Sequence, residues 1–381
     1  MDFDFNDEQY LFRDTARQFL SDHFPGPRPD APRPSAETVA VTWSGLAELG
    51  IFSLLVPEAY GGLGLGLVDL VLVLEEFGCS LMLPRVVDTL IATDVIARFG
   101  TQEQQAWLLP AIAEGRSSVA IAIAEPAARY SLADVTTALT PGDCVSRLNG
   151  IKMLVPDAMA ADKLLVVCRL GAGTDTRSGC GLVIIDRDHA GVACREHQAL
   201  DPACAYFEVG LSNVEVSGRE VLGNGDAAPA VARLFNVCAL AAAAVMTGIS
   251  GKVLDTTVDY VKQRSQFGKV IGSFQAIKHR CADMMVAVDS SRSAAYYAAW
   301  TLANDAAGQS ISVSIAKSYC GDAARFVCNE GIQLHGGMGF TWDLGLHFFL
   351  RRVKTLEYAF GDSTFHRERL LSDSLRELQC T

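Results

Sequence analysis

Two stretches of the chain carry residue types suited to one piece of chemistry. The first reads Arg264-Ser265-Gln266-Phe267-Gly268-Lys269, then Gly272-Ser273-Phe274-Gln275. The second reads Gln333-Leu334-His335-Gly336-Gly337-Met338-Gly339-Phe340. A guanidinium can grip phosphate oxygens two at a time. Glycine lacks a Cβ, so its backbone N–H groups can approach an anion closely. Together, a cation, an aromatic ring and a glycine run describe a site for the diphosphate end of a nucleotide cofactor. Alone, each has a plainer explanation. Gly336-Gly337-Met338-Gly339 ends a helical run, where glycine is a common stop, and Arg264 can be a solvated helix end.

The elements that would position these residues are helical. Residues 6–23 show an apolar face of Phe12, Ala16, Phe19 and Leu20, with Asn6 and Gln9 spaced as a capping box. Pro25, Pro27, Pro29, Pro32 and Pro34 then exclude regular structure. Further helices are predicted at Val41–Leu49, Leu67–Phe77 and Glu103–Ala113. From about Ser118 the texture turns to β-prone runs: Val119–Ala124, Lys163–Arg169, Leu182–Asp186, Phe207–Leu211 and Val214–Val216. Asn149-Gly150 signals a hairpin turn. Gly223-Asn224-Gly225-Asp226 reads as a linker. Beyond it, helical patterns at Ala228–Arg264, Phe274–Asp305, Ile311–Leu334 and Gly345–Ala359 suggest a four-helix bundle. The expected organisation is α+β: a helical domain over 1–117, a small β domain over 118–222 and a helical bundle over 223–381. Segregated layers of this kind are not a Rossmann repeat.

Composition narrows the function. A net charge of −12 argues against nucleic acid and anionic membranes as partners. The longest apolar run, Ala239 to Met246, is too short to span a bilayer. The eleven cysteines form no C-x-x-C pair, so no metal site is expected. They read as buried thiols of a reducing, cytoplasmic compartment.

Five segments in register closely resemble the acyl-CoA dehydrogenase family over nearly the whole chain. They are Pro57-Glu58-Ala59-Tyr60-Gly61-Gly62-Leu63-Gly64, Ala124-Glu125-Pro126, Leu148-Asn149-Gly150-Ile151-Lys152, the Arg264 segment and the Gln333–Phe340 segment. The resemblance implies an N-terminal helical domain, a middle β domain and a C-terminal four-helix bundle, with FAD lying across a subunit interface. It also implies that Arg264, Phe267, Gln275, Gln333, Gly336 and Gly337 hold the ADP end of a FAD whose flavin sits on a neighbouring chain.

The flavin-facing positions depart from the family pattern. The family threonine that bonds the flavin is replaced by Ala124, its Gly-Ser by Arg129-Tyr130, and its Trp-Ile-Thr by Leu154-Val155-Pro156. The catalytic glutamate is absent. Its usual positions match Phe360, or Cys238 and Val245 on the first bundle helix, and an arginine serving CoA is replaced by Ala239. Asp362 is the remaining candidate for a relocated base. The plainer reading of both Glu357 and Asp362 is a solvated or ion-paired group beside Arg351, Arg352 and Arg367, and His335 and His366 read as structural.

Ala128–Leu132 and Phe360-Gly361-Asp362 also resemble small subunits of two-component acyl-CoA dehydrogenases, such as that of pimeloyl-CoA dehydrogenase and those of sterol side-chain degradation. The resemblance therefore implies a non-catalytic subunit of an α2β2 acyl-CoA dehydrogenase. A homologous catalytic subunit would bind most of the acyl-CoA, and an electron-acceptor flavoprotein would take the electrons. A self-sufficient homotetramer with a relocated base, and a non-redox scaffold on the same fold, are the alternatives.

Overall fold

The computed structural model describes all residues except 1–4, 25, 29, 128–129, 143–144, 172–178, 224–226 and 380–381. Most of the expected linker at 223–226, and Arg129, lie outside the described residues.

Five helices form the N-terminal part: α1 (Asp7–His23), α2 (Ala36–Glu48), α3 (Leu67–Ser80), α4 (Pro84–Phe99) and α5 (Gln102–Ala113). The capping box opens α1 as its sequence requires. Asn6 Oδ1 accepts the Gln9 N–H at 2.8 Å, and Gln9 Oε1 accepts the Asn6 N–H at 2.9 Å. Helix α4 was not expected. It is buried on nearly every side, with Asp88, Thr89 and Thr93 as deep as Leu90 and Val95, so it shows no polar face to mark its period.

Next comes a sheet of seven described strands: β1 (Val119–Ala122), β2 (Ala138–Thr140), β3 (Ser146–Pro156), β4 (Lys163–Leu170), β5 (Cys180–Asp186), β6 (Val192–His197) and β7 (Tyr206–Val216). The path runs β1-β4-β2-β3-β7-β6, with β5 antiparallel to β4. The predicted hairpin turn at Asn149-Gly150 is wrong. Both residues lie inside β3, at a register shift against β7. Glycine is needed there because a Cβ would lie 2.4 Å from Thr137 Oγ1, so a bulge and not a turn explains the dipeptide.

The C-terminal part contains α6 (Ala228–Gln263), a two-stranded ribbon of β8 (Ser265–Gln266) and β9 (Lys269–Val270), then α7 (Gln275–Ala303), α8 (Gln309–Leu334), α9 (Leu346–Tyr358) and α10 (Ser363–Gln379). Helix α10 adds a fifth helix to the expected bundle. By length and composition α6 could cross a membrane, but 83% of its most apolar window is buried inside the protein. It is the central core helix. Helices α3 and α6 meet backbone to backbone: a Cβ on Gly78 would lie 2.1 Å from the Val245 carbonyl oxygen, and one on Gly248 would lie 1.9 Å from that of Glu75.

One buried cation joins the parts. Arg352 on α9 pairs with Asp201 between β6 and β7, and both are almost fully buried. The same guanidinium donates to the Met82 carbonyl at 2.8 Å, between α3 and α4, and to Cys204 Sγ at 2.7 Å. Removing one member leaves the other charge buried and unpaired. Arg352→Met is therefore expected to lower unfolding free energy by about 3–5 kcal/mol, and adding Asp201→Leu should recover much of that loss. Urea unfolding of the two single variants and the double variant measures the coupling.

Candidate functional site

The end of the bundle gathers the residues singled out from sequence. Tyr260 near the end of α6 stacks on His335 at the end of α8, with ring centroids 4.3 Å apart. This brings the Arg264 ribbon and the Gly336 turn to one place. Arg264 caps α6, and its carbonyl accepts the Ile271 N–H at 2.8 Å, folding the ribbon back. Its side chain is exposed, with no ion-pair partner among the described residues. Phe267 is in the left-handed region (φ 52°) and 92% exposed. Such a conformation costs a non-glycine residue about 1–2 kcal/mol, and strain of this kind concentrates at ligand clamps.

Gln275 begins α7 and is exposed, and the helix has no side-chain cap. The N–H groups of Gln275 and Ala276 are thus left for an anion, whereas those of Phe274 and Ile277 are taken by the Ile271 and Phe274 carbonyls. Between Asp259 and Asp283 the chain carries Lys262, Arg264, Lys269, Lys278 and Arg280 and no carboxylate, despite its overall negative charge. Gln333, Gly336 and Gly337 are exposed beside this run.

The glycines separate by cause. Gly339 is demanded by packing, since a Cβ would lie 2.2 Å from the Ile332 carbonyl oxygen, and Gly336 by its φ of 59°. Gly337 has neither constraint and faces open space. A helix stop accounts for the first two and leaves the third unexplained, whereas close approach of a phosphate accounts for it.

A second set of predicted residues meets elsewhere. Phe360, Cys238 and Val245 line one cavity of about 90 Å³, together with Leu154 and Pro156 from the sheet. Asp88 on α4 is the carboxyl in its wall. It was missed because α4 was missed, although a lone aspartate within Val86-Val87-Asp88-Thr89-Leu90-Ile91 was a visible signal. Its side chain accepts the Ile121 N–H at 3.0 Å, and burial pushes its pKa up to about 8.

Asp362 does not line this cavity. Its Oδ1 accepts the Phe365 N–H at 2.8 Å and caps α10. Glu357 is buried and paired with Arg325 and Lys354, not with Arg351, Arg352 or Arg367. His335 bonds its Nδ1 to the Gly331 carbonyl at 2.7 Å.

The turn that carries Phe360 is held from below. Phe360 has φ 57°. Lys317, 1% exposed, donates from Nζ to the carbonyls of Glu357 at 3.0 Å and Gly361 at 2.8 Å. His366 Nε2 bonds the Phe360 carbonyl at 2.9 Å. Three carbonyls of one turn are thus satisfied by two buried side chains, which offsets the backbone strain.

On the sheet side, Lys152 and Glu125 form a fully buried ion pair at 2.7 Å. Glu125 also accepts the N–H groups of Thr136 and Thr137. Burial alone would raise its pKa, but Lys152 and these donors bring it down to about 2. The pair anchors the Ala124-Glu125-Pro126 loop against β3, where the Ala124 carbonyl accepts the Met153 N–H at 2.8 Å. Tyr130 reaches across to Phe365 on α10 (5.5 Å between centroids), and Phe365 lies against Phe235 of α6 at 5.8 Å. These rings close the gap between sheet and bundle. The cysteines are only partly as expected: Cys168, Cys204, Cys238, Cys320 and Cys328 are buried, whereas Cys79, Cys180, Cys194 and Cys281 are half-buried.

Comparison with known proteins adds a family match at both ends. The chain matches the family model "Acyl-CoA dehydrogenase, N-terminal domain" over residues 6–116 and "Acyl-CoA dehydrogenase, C-terminal domain" over residues 228–374. It is 28% identical over 376 residues to the probable acyl-CoA dehydrogenase YngJ of Bacillus subtilis, covering 96% of this chain and 98% of that one. Butyryl-CoA dehydrogenase from Megasphaera elsdenii superimposes with a TM-score of 0.89 at 25% identity, covering 98% and 100%. The ChsE4-ChsE5 complex from Mycobacterium tuberculosis shares the fold, with a TM-score of 0.86 at 24% identity over the full length of both chains.

The clamp on the Phe360 turn has a pH signature. Burial, then the Lys317 charge, holds His366 down to about 3, against an ordinary value of 6.5. Between these values the unfolded chain binds a proton that the folded chain refuses, so stability falls as pH drops through that window. His366→Gln, which can still donate to the Phe360 carbonyl, should flatten the slope of unfolding free energy between about pH 6.5 and 4.5. Denaturant unfolding at stepped pH checks this.

Proposed function

The chain belongs to the acyl-CoA dehydrogenase family, whose members are FAD-binding flavoproteins, and from that premise we propose that it is the non-catalytic subunit of a two-component enzyme. It holds the ADP end of a FAD whose flavin ring lies on a homologous catalytic subunit in an α2β2 assembly. That partner binds most of the acyl-CoA and supplies the carboxylate that takes the α-proton. An electron-acceptor flavoprotein reoxidises the pair, and the setting is fatty-acid or sterol side-chain degradation in the cytoplasm.

The observation that carries this reading is an asymmetry. The bundle-end cradle is open and keeps every expected element: the Arg264 fork, the Phe267 ring, the uncapped start of α7, Gln333, and Gly337 facing open space. These fit a diphosphate. The cavity positions do not fit a flavin ring and a base. Pro156 has no N–H, and Phe360, Cys238 and Val245 offer no carboxylate. Ala124, on the neighbouring loop, has no hydroxyl. Burial raises the Asp88 pKa to about 8, which favours its neutral form.

Cradle and cavity are also far apart. Val245 and Arg264 are separated along α6 by about 28 Å, at 1.5 Å per residue. Helix α6 therefore presents them as separate sites. When bound, FAD supplies the hydride-accepting ring; this chain contributes cations and backbone N–H groups that fix the other end. The ChsE4-ChsE5 complex, which shares this fold, is a precedent for pairing two different chains and supports the reading to that extent.

Purified alone, the chain is expected to show little flavin absorbance and no turnover. Co-expressed with a homologue that carries the glutamate, it should form a heteromer with one FAD per pair. Arg264→Ala should weaken FAD retention by that heteromer about ten-fold or more, since charge-assisted phosphate bonds are worth roughly 1.5–3 kcal/mol. Full FAD occupancy with turnover by the lone chain would overturn the proposal.

A further inference from the structure

A cavity of about 900 Å³ between α1, α3, α6, α7 and the start of α9 takes no part in the reading above. It gathers cations in a chain whose net charge is −12. Arg13 and Arg17 reach it from α1, Lys252 from α6 and Arg292 from α7. Three carboxylates share the wall. Two of them are covered: the side chains of Glu75 and Glu76 are 9% and 5% exposed, whereas their partners Arg292 and Arg17 are 38% and 55% exposed. The guanidiniums are thus the outward members of both pairs. Asp255 is the one exposed acid.

Each cation keeps a donor in reserve. Arg17 bonds Glu76 through Nε and Nη2 at 3.0 and 2.7 Å, and its Nη1 has only Asp14 at 3.4 Å. Arg292 bonds Glu75 through Nε at 3.1 Å and Asp289 through Nη1 at 3.3 Å, which leaves Nη2 without a hydrogen bond among the described residues. Arg13 bonds Asp14 through Nε and Nη2, which likewise leaves Nη1. Lys252 is exposed, and its ammonium has no ion pair among the described residues. Gly251 adds a separate observation. A Cβ there would meet only Arg292 Nη2, at an ordinary 3.8 Å, and its φ is not positive. Neither packing nor backbone geometry demands glycine inside this 36-residue helix, where it lowers stability relative to alanine. Its missing side chain leaves a hollow beside Lys252 and Arg292. Aromatic rings form another part of the wall. Phe5 stands edge-on to Tyr10 and Tyr296, with centroids 5.8 and 4.9 Å apart, and Tyr10 is 38% exposed.

We propose that this cavity binds a nucleoside polyphosphate, with the phosphates on Arg13, Arg17, Lys252 and Arg292 and the base against the Tyr10 and Tyr296 rings. Four cationic groups call for more than one negative charge, and the edge of a guanidinium suits phosphate oxygens. A monocarboxylate would leave most of these donors unmatched. A flat base gives the rings a face to pack on. The volume falls within the range of about 300–1,000 Å³ typical of small-molecule sites. Arg292 lies about 26 Å along α7 from Gln275, at 1.5 Å per residue. The site is therefore separate from the bundle-end cradle and independent of the shared-FAD reading.

Isothermal titration of the full-length chain with ADP, pyrophosphate and adenosine tests the site. ADP should bind at least ten-fold more tightly than adenosine and several-fold more tightly than pyrophosphate, and should weaken as salt is raised. Lys252→Glu reverses an exposed charge and should weaken ADP binding ten-fold or more. Gly251→Leu fills the hollow with a better helix former, so it should weaken binding to a similar degree with no fall in melting temperature. Arg264→Ala, at the cradle, should leave this binding in place, which separates it from ADP held at the bundle end. Absence of ADP binding, equal binding of ADP with either adenosine or pyrophosphate, or loss of binding in Arg264→Ala would each overturn the proposal. So would undiminished binding in Lys252→Glu or in Gly251→Leu.

Discussion

A single guanidinium, that of Arg352, satisfies the N-terminal helices, the sheet and the bundle at once. A charge this deep is tolerable only with a paired carboxylate and satisfied donors. Asp201 provides the first, and the Met82 carbonyl and Cys204 help provide the second. None of these partners is near Arg352 in sequence, so the arrangement exists only when all three parts are docked. It fixes one wall of the cavity and sets α9 in place, and with it the turn that carries Phe360.

Helix α6 then organises the rest. It is long enough to carry two places with opposite character. Along its buried middle, Cys238 and Val245 line the cavity and Gly248 meets the α3 backbone. At its exposed end, Arg264 and the ribbon after it make an open, basic, aromatic surface. Burial pushes titratable groups in the middle toward their neutral forms, as Asp88 and Lys317 show. The arginine and lysines at the end are exposed and available. The contrast between a buried half and an exposed half follows from where along one helix each residue falls.

Local physics was legible from sequence where it is local in fact. The capping box of α1, the α–β–α order and the helices of the bundle depend on neighbouring residues and a visible period. Three failures share one cause. Helix α4 is buried all round, so it has no polar stripe. Asn149-Gly150 marks a bulge because Thr137, thirteen residues before Gly150, leaves no room for a Cβ. Glu357 pairs with Arg325 and Lys354, not with the arginines expected beside it. In each case the deciding contact lies outside the window that a pattern can see.

Residue types alone determined which chemistry was present and which was missing: the Arg264 and Gln333–Gly337 elements that suit a diphosphate, and the absence of a carboxylate at Phe360, Cys238 and Val245. They needed no coordinates because a missing functional group is missing in any fold. Only the tertiary structure decided that Phe360, Cys238, Val245, Leu154 and Pro156 surround one small chamber, that Asp88 faces it, and that Gly337 is open while Gly339 is packed. Those are facts of distance and burial between residues far apart in the chain, and packing alone settles them.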